Sequence, residues 1–276
     1  MGPYLSMDET CLSNGEVYTI VTNKDAKGKK GALVAMIKGI KSDTVIDALN
    51  KISTSKRLNV KEITVDLSTT MMLIAKKSFP NATIVNDRFH VQKLISDAIS
   101  DLRVSLRWQL IDEENELISQ AKKDGKHYKP ATCANGETKR QLLARSRMAL
   151  MKNCSKWDAT QRRRAELVFQ EFPILKETYD IAMQLTQIFN RTSNKGIALT
   201  KLSHWYESVN ALNLNHFNSV VQTMQNHYGT ILNYFDRRAT NASAESFNAK
   251  IKAFRSQFRG VRDNAFFIFR LCKLFA

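Results

Sequence analysis

Between Tyr4 and His90 the apolar pattern switches repeatedly between period two and period 3.6, and this alternation constrains the fold more than any single residue does. "YLSMDETCL" is a short apolar run that ends in polar residues, and Asn14-Gly15 behind it is a strong hairpin signal. "EVYTIVTN" alternates as a strand does, and the polar, Gly-containing "KDAKGKKG" turns the chain into "ALVAMIKGI". Residues 4 to 40 therefore predict a three-stranded antiparallel meander with Asp8 on its first strand. From Ser42, read as an N-cap, "DTVIDALNKISTSK" sets Val45, Ile46, Leu49 and Ile52 at helical spacing. "KEITVDLS" then returns to a strand that ends at Asp66. A second helix, "TTMMLIAKKSF", stops at Pro80, and "ATIVNDRFH" supplies a fifth strand carrying Asp87.

A strand, a helix and a strand in succession imply a right-handed crossover to a parallel neighbour. The order βββαβαβ is that of an RNase H-like mixed sheet, an α/β fold in which the first and fourth strands lie side by side. Asp8 and Asp66 are expected as neighbours on that ground. After His90 the period becomes helical and stays so. "VQKLISDAISDLRVSLRWQLIDEENELISQAKK" predicts a long helix, "DGKHYKPATCANGE" a loop, and residues 139 to 235 further helices with breaks near Pro173 and "RTSNKG". The expected organisation is a first core part over 1–94, a large all-α insertion over 95–235, and a second core part over 236–276 with the Glu245 helix.

Charge narrows the class of partner. Forty-two Lys and Arg against 26 acidic residues give a formal charge of +16, and the pI near 9.7 is the footprint of a polyanion binder. Ribosome-associated and membrane-surface proteins share this balance. No apolar stretch approaches the 18 or so residues of a membrane span, and "MGPYLSMDET" lacks the basic-then-apolar order of a signal peptide. Cys11, Cys133, Cys154 and Cys272 form no CxxC pair, which points to reduced thiols and a cytoplasmic location, nucleoid-associated if DNA is the partner, rather than to disulfides or a zinc site. Basic residues cluster in "KRQLLARSRMALMKNCSKW" and "QRRRAEL". Trp108, Trp157 and Trp205 lie in the same helical region. An exposed indole can stack on an unpaired base, although a Trp set among Leu and Ile on a helix is ordinarily core.

Three carboxylates stand out. Glu245 rides the first turns of a basic amphipathic helix in "TNASAESFNAKIKAFRSQFRG", while Asp8 and Asp66 end short apolar runs far upstream. Acidic oxygens on rigid elements are what metal-assisted phosphodiester cleavage requires. Each residue also has a plainer reading. A strand-terminal Asp bonds the following backbone, "DLST" can cap a helix, and an acid near a helix N-terminus is favourable on its own. Glu9 competes with Asp8, but alternation sends the two to opposite faces. Asp87 competes with Asp66, and the strand order favours Asp66. Around Glu245, the residues Phe247, Ile251, Phe254 and Phe258 form the stripe expected to be buried. Glu245, Asn248 and Lys252 share an adjoining face. Lys250, Lys252, Arg255 and Arg259 offer phosphate contacts.

With "MDE", "VDLS", "FPNATIVNDRFHVQKL" and "TNASAESFNAKIKAFRSQFRG", the chain resembles the DDE transposases of bacterial insertion sequences, specifically the ISL3 group. The likeness spans nearly its whole length. It implies an RNase H-like catalytic core whose Asp8, Asp66 and Glu245 bind two Mg²⁺ ions, for which Mn²⁺ can substitute, and catalyse strand cleavage and transfer at transposon ends. It implies DNA as partner, a homo-oligomer on that DNA and no membrane. "DRFH" resembles the Asp-x-x-His element of eukaryotic hAT and Mutator-like relatives, which gives Asp87 and His90, like Asn248, a supporting part. His90 is expected to pack rather than ligate, because hard Mg²⁺ prefers oxygen. Members of the group usually begin with a zinc-binding segment and a helix-turn-helix, and residues 1 to 276 show neither. The competing expectations are a non-catalytic DNA-binding remnant and a structure-selective nuclease of the same fold.

Overall fold

The computed structural model describes residues 1–12, 15–258 and 263–276. Asn14 and Arg259, which entered the hairpin and phosphate-contact expectations, lie outside the described residues. The chain divides into two compact units, one of residues 1–91, 193–195 and 227–276, the other of residues 92–192 and 196–226.

The first unit is α/β. Strands β1 (Tyr4–Cys11), β2 (Val17–Asn23) and β3 (Leu33–Lys38) form the meander. Helices α1 (Ser42–Asn50) and α2 (Thr54–Leu58) lead to β4 (Glu62–Val65), and α3 (Thr69–Ser78) leads to β5 (Thr83–Asn86). The sheet is mixed, with order β3-β2-β1-β4-β5. β1 pairs antiparallel with β2 and parallel with β4, where Tyr4 stands opposite Glu62 and Ser6 opposite Thr64. This five-stranded arrangement is compatible with an RNase H-like sheet. One expected detail is corrected: Lys41, not Ser42, is the N-cap of α1, and it caps without a side-chain bond. The helix starts one residue early because Ser42 itself adopts helical backbone.

Alternation gives the sheet two faces. Leu5, Met7, Val21, Ile63 and Val65 share a core with Val45 and Leu49 of α1 and Met71, Ile74 and Ala75 of α3. On the opposite face Tyr18, Ile20 and Leu33 pack against α13 (Ala242–Gln257) and α14 (Asn264–Phe275) through Phe247, Ile251, Phe267 and Leu271. The face is only partly apolar. Where it runs over β1 and β4 it carries Ser6, Asp8, Glu62 and Thr64, and the Lys24 ammonium lies there beside Glu62 at 3.3 Å and Thr64.

Helix α4 (Arg88–Lys123) begins directly after Asp87, three residues earlier than the sequence suggested. The second unit continues with α5 (Lys139–Arg145), α6 (Arg147–Leu150), α7 (Ala159–Glu171), α8 (Pro173–Arg191), α9 (Lys195–Ala211) and α10 (Asn215–Asn226). Among its described residues no strand forms beyond an isolated bridge between Thr132 and Thr138. Pro173 opens α8 at N1, where a missing N–H costs nothing. Short helices α11 (Tyr228–Leu232) and α12 (Tyr234–Arg237) belong to the first unit, and Asn233 between them donates to Ile84 O on β5 at 2.8 Å. No described helix is long and apolar enough to cross a membrane. All four cysteines are free.

Candidate active site

The site grows from the parallel register of β1 and β4. The paired register ends with Ser6 opposite Thr64; Asp8 lies two residues further along β1 and Asp66 directly follows β4, near enough that the Asp8 charge acts on Asp66. Two acids so close to one another, in a half-buried place, are poorly solvated. Burial pushes the Asp66 carboxyl up to about 6, opposed by His90 and by the Asn241 amide, with the Asp8 charge adding to the rise. Asp8 is likewise raised, chiefly by burial, and the Glu9 N–H, His90 and Asn248 work against the rise. Glu9 is exposed and on the other face, as its position in the alternation demands.

Both aspartates are gripped by one helix. Asn241, fully buried at the head of α13, leaves its cap position unused and donates its Nδ2 to Asp66 Oδ1 at 3.0 Å and, at 3.5 Å, to Met7 O. Asn248 Nδ2 donates to Asp8 Oδ2 at 2.7 Å, while the Glu9 backbone N–H donates to Asp8 Oδ1 at the same distance. The carbonyl oxygens of both amides are buried and accept nothing. An amide donor on a carboxylate is a charge-assisted bond that fixes the acid's rotamer. Glu245 lies four residues after Asn241 and three before Asn248, so it sits on the same helical stripe between the two grips. Its side chain is exposed. No set of three or more His, Cys, Asp or Glu side chains among the described residues stands close enough to hold a metal ion.

His90, in the first turn of α4, has Nδ1 3.2 Å from Asp66 Oδ1 and 3.9 Å from Asp87 Oδ2, aligned for a hydrogen bond with neither. Asp87 first, then Asp66 and Asp8, hold its imidazole above the usual histidine range against burial. Asp87 is itself buried, follows the edge strand β5, and accepts the Phe89 N–H at 3.4 Å. Asp66 is further fixed through its backbone, since Asn86 Nδ2 donates to Asp66 O at 3.0 Å. It is Ser68, rather than Asp66, that caps α3.

The expected DNA contacts divide. Lys252 is exposed, and Lys250 is exposed with its Nζ on Gly28 O at 3.3 Å. Arg255 is buried, donates to Asn264 Oδ1 at 3.3 Å and lies 5.2 Å from the Phe267 ring, so it braces α13 against α14 and is corrected to a packing role. Trp205 is 2% exposed and donates Nε1 to Ile181 O at 2.9 Å, so it too is corrected: a buried indole offers no face to a base. Trp157 is half-buried between Phe169 and Tyr179 and donates to Ala149 O at 2.8 Å. Trp108 is 60% exposed. Asn241 was missed because an Asn before a helix reads as a cap. Its one sequence signal is the spacing of Asn241, Glu245 and Asn248 on a single stripe.

Among known proteins, the model of the ISL3 family of DDE transposases, described as "Transposase", matches residues 5–271. A curated relative, the transposase for insertion sequence element IS1001 of Bordetella parapertussis, is 23% identical over 269 residues. That match covers 97% of this chain, which spans 60% of the relative's length. No solved structure matches. A family match that runs from β1 into α14 takes in both aspartates, both asparagines and Glu245, and the chain belongs to the ISL3 family of DDE transposases.

Proposed function

We propose that this chain cuts and rejoins DNA strands at the ends of an insertion element, using Asp8, Asp66 and Glu245 to hold two divalent cations, Mg²⁺ or in its place Mn²⁺. The observation that carries the reading is the double grip of one helix on two strand-end aspartates, with Glu245 between the grips. The donor set fits. Carboxylate oxygens suit hard cations, and the cost of burying Asp8 and Asp66 as anions falls when a cation shares their space. When bound, the ions activate the attacking oxygen and offset charge on the scissile phosphate and the departing 3′ oxygen. The chain's own residues do the positioning. Asn241 and Asn248 keep Asp66 and Asp8 oriented, and His90 and Asp87 back Asp66 from behind. Lys250, Lys252 and the basic helical unit meet phosphates.

The fold reading that accompanies this function is an RNase H-like core over 1–94 and 236–276, interrupted by a helical insertion over 95–235. DNA, with a second copy of the chain bound on it, is the proposed partner. The second reading, a DNA-binding remnant without cleavage, is favoured by one observation: Glu245 is exposed, and no three acids among the described residues stand close enough to hold a metal ion.

The deciding experiment incubates supercoiled DNA carrying element ends with the protein and Mg²⁺ or Mn²⁺, with and without target DNA. Nicking and joined products are expected, and Ala at Asp8, Asp66 or Glu245 should lower cleavage at least about 100-fold while DNA binding persists, as loss of a charge at a reacting phosphate does. Cleavage without joining identifies a nuclease. Full activity in Glu245→Ala, or no cleavage by the parent chain, refutes the proposed mechanism.

A further inference from the structure

Arg103 on α4 is 7% exposed, yet no carboxylate faces it among the described residues. Its Nη1 donates to Leu143 O in α5 at 2.9 Å, and its Nε is buried with no acceptor at all. A buried guanidinium without an acid is costly, because the charge loses its water and gains no partner. The surroundings add to that cost instead of relieving it. Arg107 stands one turn further along α4, and Arg147 opens α6, four residues past Leu143; both are exposed. Burial first, then the charges of Arg147 and Arg107, hold the Arg103 guanidinium below its ordinary value.

Three acids of the helical unit are engaged elsewhere. Glu137 is taken by Arg145 and Arg164, Glu114 by Arg140, and Asp97 by Lys93. Three cations are held together, one of them desolvated and short of an acceptor, and none of the three forms an ion pair with an acid among the described residues. A planar guanidinium fork matches the oxygens of a phosphate, and three forks suit one better than they suit a carboxylate. Beside the Arg103–Arg107 row, Val104 and the 60% exposed Trp108 form a second row on the same helix, the pairing of phosphate contact and stacking face that single-stranded nucleic acid uses.

We infer that Arg103, Arg107 and Arg147 form a phosphate-binding site in the helical unit that takes a backbone phosphate of the DNA strand. The inference rests on the reading of DNA as substrate. It adds an anchor on the helical unit to the contacts proposed beside the carboxylates.

The test uses the full chain, the variant R107Q/R147Q, whose exposed positions spare the fold, and a control, K51Q/K56Q, which loses the same charge on exposed positions of the first unit. Fluorescence anisotropy with single-stranded and duplex oligonucleotides is followed against salt. R107Q/R147Q should lose about tenfold or more in affinity, and the slope of log K against log salt should fall by about one, the contribution of one phosphate contact. The control should keep both. Because the substitutions relieve repulsion on Arg103, the variant's thermal midpoint should stay level or rise. Inorganic phosphate, added at constant ionic strength, should raise the midpoint of the parent and not of R107Q/R147Q. A lowered midpoint in the variant would show three structural arginines and overturn the site. Equal DNA affinity and slope in the variant and the parent overturn it as a DNA anchor, and a phosphate effect that survives alone identifies a free-anion site. If the parent binds no DNA, the transposase reading fails, while the phosphate arm still decides whether the anion site exists.

Discussion

Glu137→Gln is the substitution whose cost can be worked most directly from the structure. The Glu137 carboxylate is the shared acceptor of three helix-and-hairpin elements: Oε1 takes Arg145 Nη1 at 2.8 Å and Arg164 Nη2 at 3.0 Å, and Oε2 takes Arg164 Nε at 3.2 Å and Asn135 Nδ2 at 2.9 Å. Arg145 belongs to α5 and Arg164 to α7. Asn135 sits in the turn that Gly136 closes with φ of 78°, where Cys133 N donates to Glu137 O at 2.7 Å. Arg164 first, then Arg145 and Asn135, hold the carboxyl at about 2 against the opposing effect of burial, from an ordinary 4.5. The gap is roughly 2.5 pH units, an upper bound of about 3.4 kcal/mol at 1.36 kcal/mol per unit. Arg145 is 57% exposed and its share is screened by water, so about 2 kcal/mol is the expected cost at pH 7.

The pH dependence has a definite sign. A carboxyl whose folded value is depressed contributes stability above its unfolded value of 4.5, and that stability is lost as pH falls from about 4.5 toward about 2. Parent and variant should therefore differ fully at pH 7, show a reduced gap at pH 3 and converge only toward about pH 2. Trp108, Trp157 and Trp205 are the three tryptophans of the chain and all lie in the helical unit, so intrinsic fluorescence during urea unfolding reports that unit selectively. A loss under about 0.5 kcal/mol at pH 7, or a gap that persists unchanged at pH 3, would refute the reasoning.

Asn241→Ala should lower Mn²⁺ affinity measured by calorimetry about tenfold or more, as removal of a residue that orients a ligand does, with the thermal midpoint measured in parallel. Asn248→Ala should do the same through Asp8, and unchanged affinity in both would remove the two amides from the site. Trp205→Ala should cost about 3 to 5 kcal/mol of stability, whereas Trp108→Ala should stay within about 0.5 kcal/mol and weaken binding of single-stranded DNA; chemical denaturation and anisotropy separate the two. Asp87→Ala should lower stability and cleavage together, and a stably folded, inactive Asp87→Ala beside an active Asp66→Ala would transfer the ligand role to Asp87.

The strand order was legible because each strand of the meander and each strand–helix–strand step is a local pattern, and because Asp8 and Asp66 end their runs at matching places. The packing stripe of α13 was legible for the same reason: Phe247 and Ile251 recur at helical spacing. Asn241 was not, since a short polar residue before a helix has a local explanation, and only the tertiary register shows its amide spent on Asp66. Charge misled in the opposite direction. Arg255 read as a phosphate contact in a basic chain, and neither composition nor period tells that its stem, like that of Arg103, descends into a packed interior. Trp205 stands three residues after Leu202 and four before Val209, both buried, a spacing that carried the core reading in plain view.

The bonds that fix the two aspartates join positions 175 and 240 residues apart, Asp66 to Asn241 and Asp8 to Asn248. A nascent chain exposes β1 to β5 early, yet it has nothing to orient its two aspartates until α13 has left the ribosome. Under the proposed assignment Glu245 arrives in the same few seconds. An interrupted translation product, or one clipped anywhere before residue 241, would keep both aspartates and lose both amides that orient them, so under the proposed assignment it would carry the acids without the geometry that cleavage needs.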